Sequence, residues 1–99
     1  MVIAEVVGTV VASQKTPQMQ GLSLRIVRRV SPALTPADAY QVAVDVVGAR
    51  EGDYVLLTSG SAARQTHLTD GAPVDAVVMA IIDAWQVDDQ VRYDRGDRV

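Results

Sequence analysis

Met1-Val2-Ile3-Ala4-Glu5-Val6-Val7-Gly8-Thr9-Val10-Val11-Ala12 and, after a polar break, Leu22-Ser23-Leu24-Arg25-Ile26-Val27-Arg28-Arg29-Val30 are the stretches on which the fold class turns. The first is dense in valine, whose two Cβ substituents restrict χ1 and suit a pleated, half-buried strand better than a helix. Gly8 inside it signals a bulge or a sharp bend. The second alternates: Leu22, Leu24, Ile26 and Arg28 share one face, and Ser23, Arg25, Val27 and Arg29 share the other, which is the period of a strand. Between them, Ser13 to Gly21 collects Ser, Gln, Lys, Pro and Gly, the composition of an exposed loop. Eighteen valines across the chain extend the same preference throughout.

Further along, two readings compete. Thr35, Pro36 and Asp38 resemble a helix start, with Gly48 as its stop. Tyr40, Val42, Val44 and Val46, however, recur at period two opposite Gln41, Ala43, Asp45 and Val47, and this favours a strand. Gly48 to Asp53 reads as a turn and Tyr54 to Ser59 as a short strand. Ser61 to Gln65 is the one run of good helix formers, with Ser61 placed to cap it. Thr69 to Pro73 reads as a loop, and Val74 to Val87 as one long apolar strand. Asp88-Asp89 supplies a turn, Val91 to Tyr93 a last strand, and Asp94 to Val99 a flexible charged tail. The expectation is one all-β domain over residues 1–99: a small five-stranded OB-like β-barrel with one short helix, an open sandwich being the alternative architecture.

Composition narrows the function. The 99 residues are 48% hydrophobic and 21% charged, an ordinary soluble balance. A net charge of −3 withholds the cationic surface that nucleic acid or an anionic membrane demands. Without cysteine there is no disulfide, thiolate metal site or thiol nucleophile. The opening residues lack the basic start of a signal peptide, and no apolar run reaches bilayer length, so a cytoplasmic location is expected. The apolar share exceeds what one small core readily buries, so part of it is expected to face other subunits.

Chemistry-bearing patterns are sparse. His67 with Ser61 or Ser59 and an aspartate is a weak triad candidate, because no nucleophile elbow accompanies it. Asp88 and Asp89 are neighbours in a turn, where carboxylates are ordinarily solvated. Gly48 to Gly52 lacks the lysine and spacing of a phosphate loop. Gly60-Ser61-Ala62-Ala63-Arg64 is an ordinary cap with a surface arginine or, less commonly, an anion-holding turn. Trp85 can serve as a core anchor, an interface anchor or a partly exposed ring. The expectation is therefore a non-enzyme without cofactor or metal. A monomeric OB-type domain binding a ligand or oligonucleotide is the alternative from another class, against which the acidic charge and scarce rings weigh.

Three stretches together resemble a known family. They are Ile3 to Lys15 followed by Gly21-Leu22-Ser23-Leu24; Ala43-Val44-Asp45-Val46-Val47-Gly48-Ala49 with Gly52-Asp53-Tyr54-Val55-Leu56; and Gly60-Ser61-Ala62-Ala63-Arg64-Gln65 with Pro73-Val74-Asp75-Ala76 and Ala80-Ile81-Ile82-Asp83. Their order and spacing resemble the vertex proteins of bacterial microcompartments, the EutN/CcmL family. The resemblance implies a homopentamer that caps the vertices of a polyhedral protein shell in the cytoplasm, lets it close beside hexameric shell proteins, and catalyses nothing. It also implies that Gly60, Ser61, Ala62, Ala63 and Arg64 lie near the subunit interface and a narrow axial opening.

Overall fold

A computed structural model describes residues 1–69 and 74–97. Five strands, β1 (Val2–Val10), β2 (Ser23–Val30), β3 (Pro36–Asp45), β4 (Tyr54–Ser59) and β5 (Ala76–Ile81), close into a barrel in the order β1-β2-β3-β5-β4. All neighbours are antiparallel except β3 and β5, a parallel pair joined only at Val44–Val77 and Asp45–Val78. The expected β-barrel is present, and the strand reading of Tyr40 to Val46 prevails over the helical one. Helical structure among the described residues is limited to three 3-10 turns.

Gly8 sits where the β1–β2 register slips, between Val6 and Gly8, as its place inside a strand suggested. A Cβ there would stand 3.3 Å from Ile26 Cδ1, so the bulge and the close approach of β2 both favour glycine.

Small side chains fill the barrel. Ala4, Val6, Val27, Ala43, Ala49, Val55, Leu57, Ala76 and Val78 form its buried cluster. In β2 the face carrying Val27 and Arg25 turns inward, although Leu22, Leu24 and Ile26 make the opposite face more apolar. Five strands enclose too little volume for a layer of leucines, and the longer side chains go outside. There Leu22, Val44, Ala63, Val74 and Val77 build a second buried cluster, flanked by Met19, Leu24, Val46 and Met79.

Two sequence expectations change form. The helix expected at Ser61 to Gln65 is a 3-10 turn over Gly60–Arg64, entered through Ser59 with no side-chain cap. Five residues are too few to repay the cost of nucleating an α-helix, and Gly60 enters at φ 64°, outside helical space. The single strand expected over Val74 to Val87 is two, β5 and β6 (Ala84–Val87), because the chain leaves the barrel at Ile82 and Asp83. The Ile82 amide donates to the Tyr54 carbonyl at 2.8 Å, and the Asp83 carbonyl accepts from the Arg95 amide at 2.7 Å. β6 then pairs with β7 (Gln90–Asp94) as a separate hairpin. Asp88 and Asp89, at φ 53° and 61°, form its two-residue turn, the left-handed pair that matches strand twist.

Aromatic rings dock this hairpin on the barrel. Trp85 stacks on Tyr93 at 4.8 Å between centroids, and both meet Tyr54 edge-on, at 5.7 and 4.8 Å. The Trp85 indole N–H donates to the Pro32 carbonyl at 2.8 Å, so the ring serves as an internal anchor. Of the charged tail, Asp94 belongs to β7, residues 95–97 form a 3-10 turn, and Arg95 pairs with Asp53 at 3.2 Å. Residues 98 and 99 lie outside the described residues, as do positions 70–73 of the Thr69 to Pro73 loop.

Candidate subunit interface

The segment Gly60–Arg64 follows β4 where the barrel rim meets the start of β5. The Gly60 amide donates to the Asp75 carbonyl at 2.9 Å. Ala63 is fully buried in the outer cluster, and its carbonyl accepts the Thr69 hydroxyl at 2.7 Å. Ala63 packs in one buried cluster with Leu22, Val44, Val74 and Val77, and this one alanine seats the turn on the sheet. Arg64 extends its guanidinium to the Val74 carbonyl at 3.2 Å. Gly60, Ser61, Ala62 and Arg64 are exposed around that anchor. The fold thus brings all five residues into one small, firmly seated projection with an outward surface of short side chains and one cation.

The weaker chemical candidates do not assemble. His67 is exposed in the turn that follows, and among the described residues no hydrogen bond joins it to Ser59 or Ser61. Asp88 and Asp89 sit exposed at the hairpin tip. Around Gly48 to Gly52 most amides already have acceptors, Gly52 donating to the Val6 carbonyl at 2.8 Å. Val47 and Gly48 both donate to Asp45 Oδ1 at 3.0 Å, and Arg50 donates to Asp53 Oδ2 at 2.9 Å. No group of three His, Cys, Asp or Glu side chains with metal-binding proximity occurs among the described residues.

Sequence reasoning did not foresee the role of Asp45. Its carboxylate is almost fully buried at one end of the barrel, with Oδ2 3.5 Å from Arg25 Nη2. Arg25 also donates from Nε to the Ala49 carbonyl at 3.0 Å. A carboxylate two and three residues before the amides it accepts is an Asx-type turn, and Asp45-Val46-Val47-Gly48 carried that signal. The partner Arg25, twenty positions upstream, could not be read from spacing.

Several apolar side chains remain uncovered. Tyr40 is 61% exposed, Val42 49% and Leu68 57%. A hollow of about 220 Å³ beside Met19, Leu24, Val42 and Val74 lies on the same outer face as Val42. This surface is suited to contact with protein.

Known proteins share the fold. The family described as ethanolamine utilisation protein EutN/carboxysome matches residues 1–83. The carboxysome shell vertex protein CcmL of Gloeobacter violaceus is 44% identical over 98 residues, covering 99% of this chain and 98% of its own. Its solved structure superposes with a TM-score of 0.94 over 98% of this chain and 100% of that one. EutN from Escherichia coli, 34% identical, reaches 0.87 over 98% and 100%. The GrpN pentameric microcompartment shell protein from Rhodospirillum rubrum, 38% identical, reaches 0.80 over 88% and 99%. The family match over residues 1–83 and these relatives, shell proteins among them, show that the chain belongs to the EutN/CcmL family.

Proposed function

We propose that this chain is a structural shell protein whose five copies form a ring capping the vertices of a bacterial microcompartment. The observation that carries the reading is its full-length likeness to CcmL, a carboxysome shell vertex protein, at 44% identity. GrpN, described as pentameric, supports the count of five. Hexagonal tiles alone make a flat layer, and a pentagon replacing one of them introduces the curvature that lets a polyhedron close. A ring of identical subunits joined head to tail closes on itself without further partners. The ring would meet hexameric shell proteins along its outer sides, in the cytoplasm, with no catalysis, cofactor, nucleic acid or membrane involved. The uncovered Tyr40 and Val42 are apolar surface of the kind such contacts bury.

Within the ring, the exposed residues Gly60, Ser61, Ala62 and Arg64, held by buried Ala63, would line the contact between neighbours and the narrow axial opening. Their firm attachment to the outer cluster supports this role, because an interface element gains from being ordered before assembly. Light scattering behind size exclusion tests the reading. The expected mass is about 53 kDa, five times the 10.6 kDa chain. A clean monomer of 10.6 kDa at micromolar concentration refutes a self-closing ring.

A further inference from the structure

The hairpin of β6 and β7 stands apart from the barrel. Among the described residues no barrel strand pairs with it. It is held instead by the rings of Trp85 and Tyr93 against Tyr54, by the indole bond to Pro32 and by the Arg95–Asp53 pair beyond it. These attachments fix its orientation and leave its other side chains uncovered: Gln86, Gln90, Val91 and Arg92 are exposed, Val91 at 57%. From Asp83 to Asp94 four aspartates stand against one arginine, so this segment carries the whole net charge of −3 and the rest of the chain is balanced. β4 separates the hairpin from the Gly60–Arg64 turn. Tyr54, which receives the hairpin's rings, begins that strand and Ser59, which leads into the turn, ends it, about 17 Å away over six residues. A ring that gathers the turns near its axis therefore carries the hairpins away from it, toward what surrounds the ring.

The hairpin is also where the relatives part. The family match stops at residue 83, just before it. CcmL of Gloeobacter violaceus and of Synechocystis, 44% and 40% identical, align over 99% and 98% of this chain. The microcompartment vertex proteins GrpN of Rhodospirillum rubrum, PduN of Salmonella typhimurium and EutN of Escherichia coli, 40%, 43% and 37% identical, each align over 84%. The two groups match the shared part about equally well and differ in whether the match runs on through the hairpin. The EutN structure nevertheless superposes over 98% of this chain, so the form persists where the sequence changes. A scaffold that is kept while its exposed side chains vary is the arrangement by which related proteins discriminate between partners.

We propose that the β6–β7 hairpin is the surface by which this vertex selects the hexameric proteins of its own shell, and that the edge it meets is cationic. The inference rests on the vertex reading and adds partner selection to it. Val91 supplies apolar contact, and the surrounding excess of aspartate draws a basic edge and repels an acidic one, so charge decides between shells whose hexamers are otherwise alike in shape. Because the rings of Trp85 and Tyr93 hold the hairpin to its own barrel, its exposed side chains can change from one compartment to another without disturbing the fold.

The experiment compares wild type with Val91→Arg and Val91→Glu, which remove the same apolar side chain and differ only in the sign of the charge they add. Light scattering checks the ring and circular dichroism the fold. Each ring is then sedimented with assembled sheets of the hexameric carboxysome shell protein of Gloeobacter violaceus and, as the counter-probe, of the hexameric shell protein that accompanies EutN in Escherichia coli. Wild type is expected to bind the first sheet at least about tenfold more tightly than the second, Val91→Arg to lose about tenfold or more on the first, and Val91→Glu to stay within about threefold of wild type. Equal effects of the two variants, or equal binding of wild type to both sheets, overturn the selecting hairpin and leave the vertex reading intact. A wild-type monomer, or a ring that joins neither sheet, overturns the vertex reading and this inference with it. Should Val91→Arg lose its fold, the salt dependence of wild-type binding decides instead: a fall of about tenfold or more between about 50 and 500 mM salt upholds the charged contact, and salt-independent binding overturns it.

Discussion

Replacing Asp45 by alanine should be among the most damaging single changes in this chain, and the structure supplies the components of its cost. Oδ1 accepts the Val47 and Gly48 amides, both at 3.0 Å, and Oδ2 faces Arg25 at 3.5 Å. Both amides belong to exposed residues, so water recovers part of what the carboxylate gave, leaving about 1 kcal/mol for each. Arg25 keeps its bond to the Ala49 carbonyl and is 21% exposed, which holds the loss of the ion pair to about 1 kcal/mol. Together these make about 3 kcal/mol, a shift of roughly 12–24 °C in Tm for a domain of this size. Asp45→Asn retains an oxygen for the two amides but turns an NH2 toward the guanidinium, and should cost about 1 kcal/mol. Urea unfolding followed by the fluorescence of Trp85, at one fixed protomer concentration because assembly adds to apparent stability, measures both. A loss below about 1 kcal/mol for Asp45→Ala would refute the anchoring argument. Equal losses for both variants would show that the ion pair, and not the amide bonds, holds the turn.

Trp85→Ala removes the ring that stacks on Tyr93 and donates to Pro32, at a cost of about 2–3 kcal/mol for a half-buried tryptophan. Hydrogen exchange should quicken in β6 and β7 while β1 to β5 keep their protection, and a uniform rise would mean that hairpin and barrel unfold as one unit. Arg64→Glu reverses the charge on the turn proposed to lie between neighbours and gives up one bond to the Val74 carbonyl. Sedimentation should show a smaller pentamer fraction with native circular dichroism, and unchanged assembly would remove Arg64 from the interface.

What the sequence makes legible follows the range of the interactions involved. Local signals read correctly: the bulge at Gly8, the period-two pattern of β3, the Asp88-Asp89 turn and the alternation of β2. The closing of the barrel depends on β3 meeting β5 at two residue pairs separated by more than thirty positions, and no local pattern encodes that. The inward face of β2 was hidden for a related reason. Its choice depends on how little room the other four strands leave, so the less apolar face, with Val27, goes inside. The split of Val74 to Val87 likewise rests on bonds that join Ile82 to Tyr54 and Asp83 to Arg95, distant partners that the local pattern does not show. At the candidate interface, the helix-forming character of Ser61 to Gln65 pointed to the right place, and the burial of Ala63 under the outer cluster fixed its actual shape.

The narrow barrel also explains where the apolar surplus goes. Four alanines line the interior, so the barrel buries few large side chains, and leucine, methionine and further valines have to pack on its outer surface. The outer cluster is covered by the Gly60–Arg64 turn and by Met19, which shelter the end of β3 but leave its first seven residues bare. Lengthening β3 beyond its pairing with β5 exposes backbone and apolar side chains that a monomer gains nothing by displaying. In the proposed ring, contacts made between barrels would offset the small interior that limits the stability of one barrel. Fold and assembly are on this argument one energetic problem: in the proposed ring, a barrel too tight to hold its own hydrophobic residues would be stabilised by presenting some of them to its neighbours.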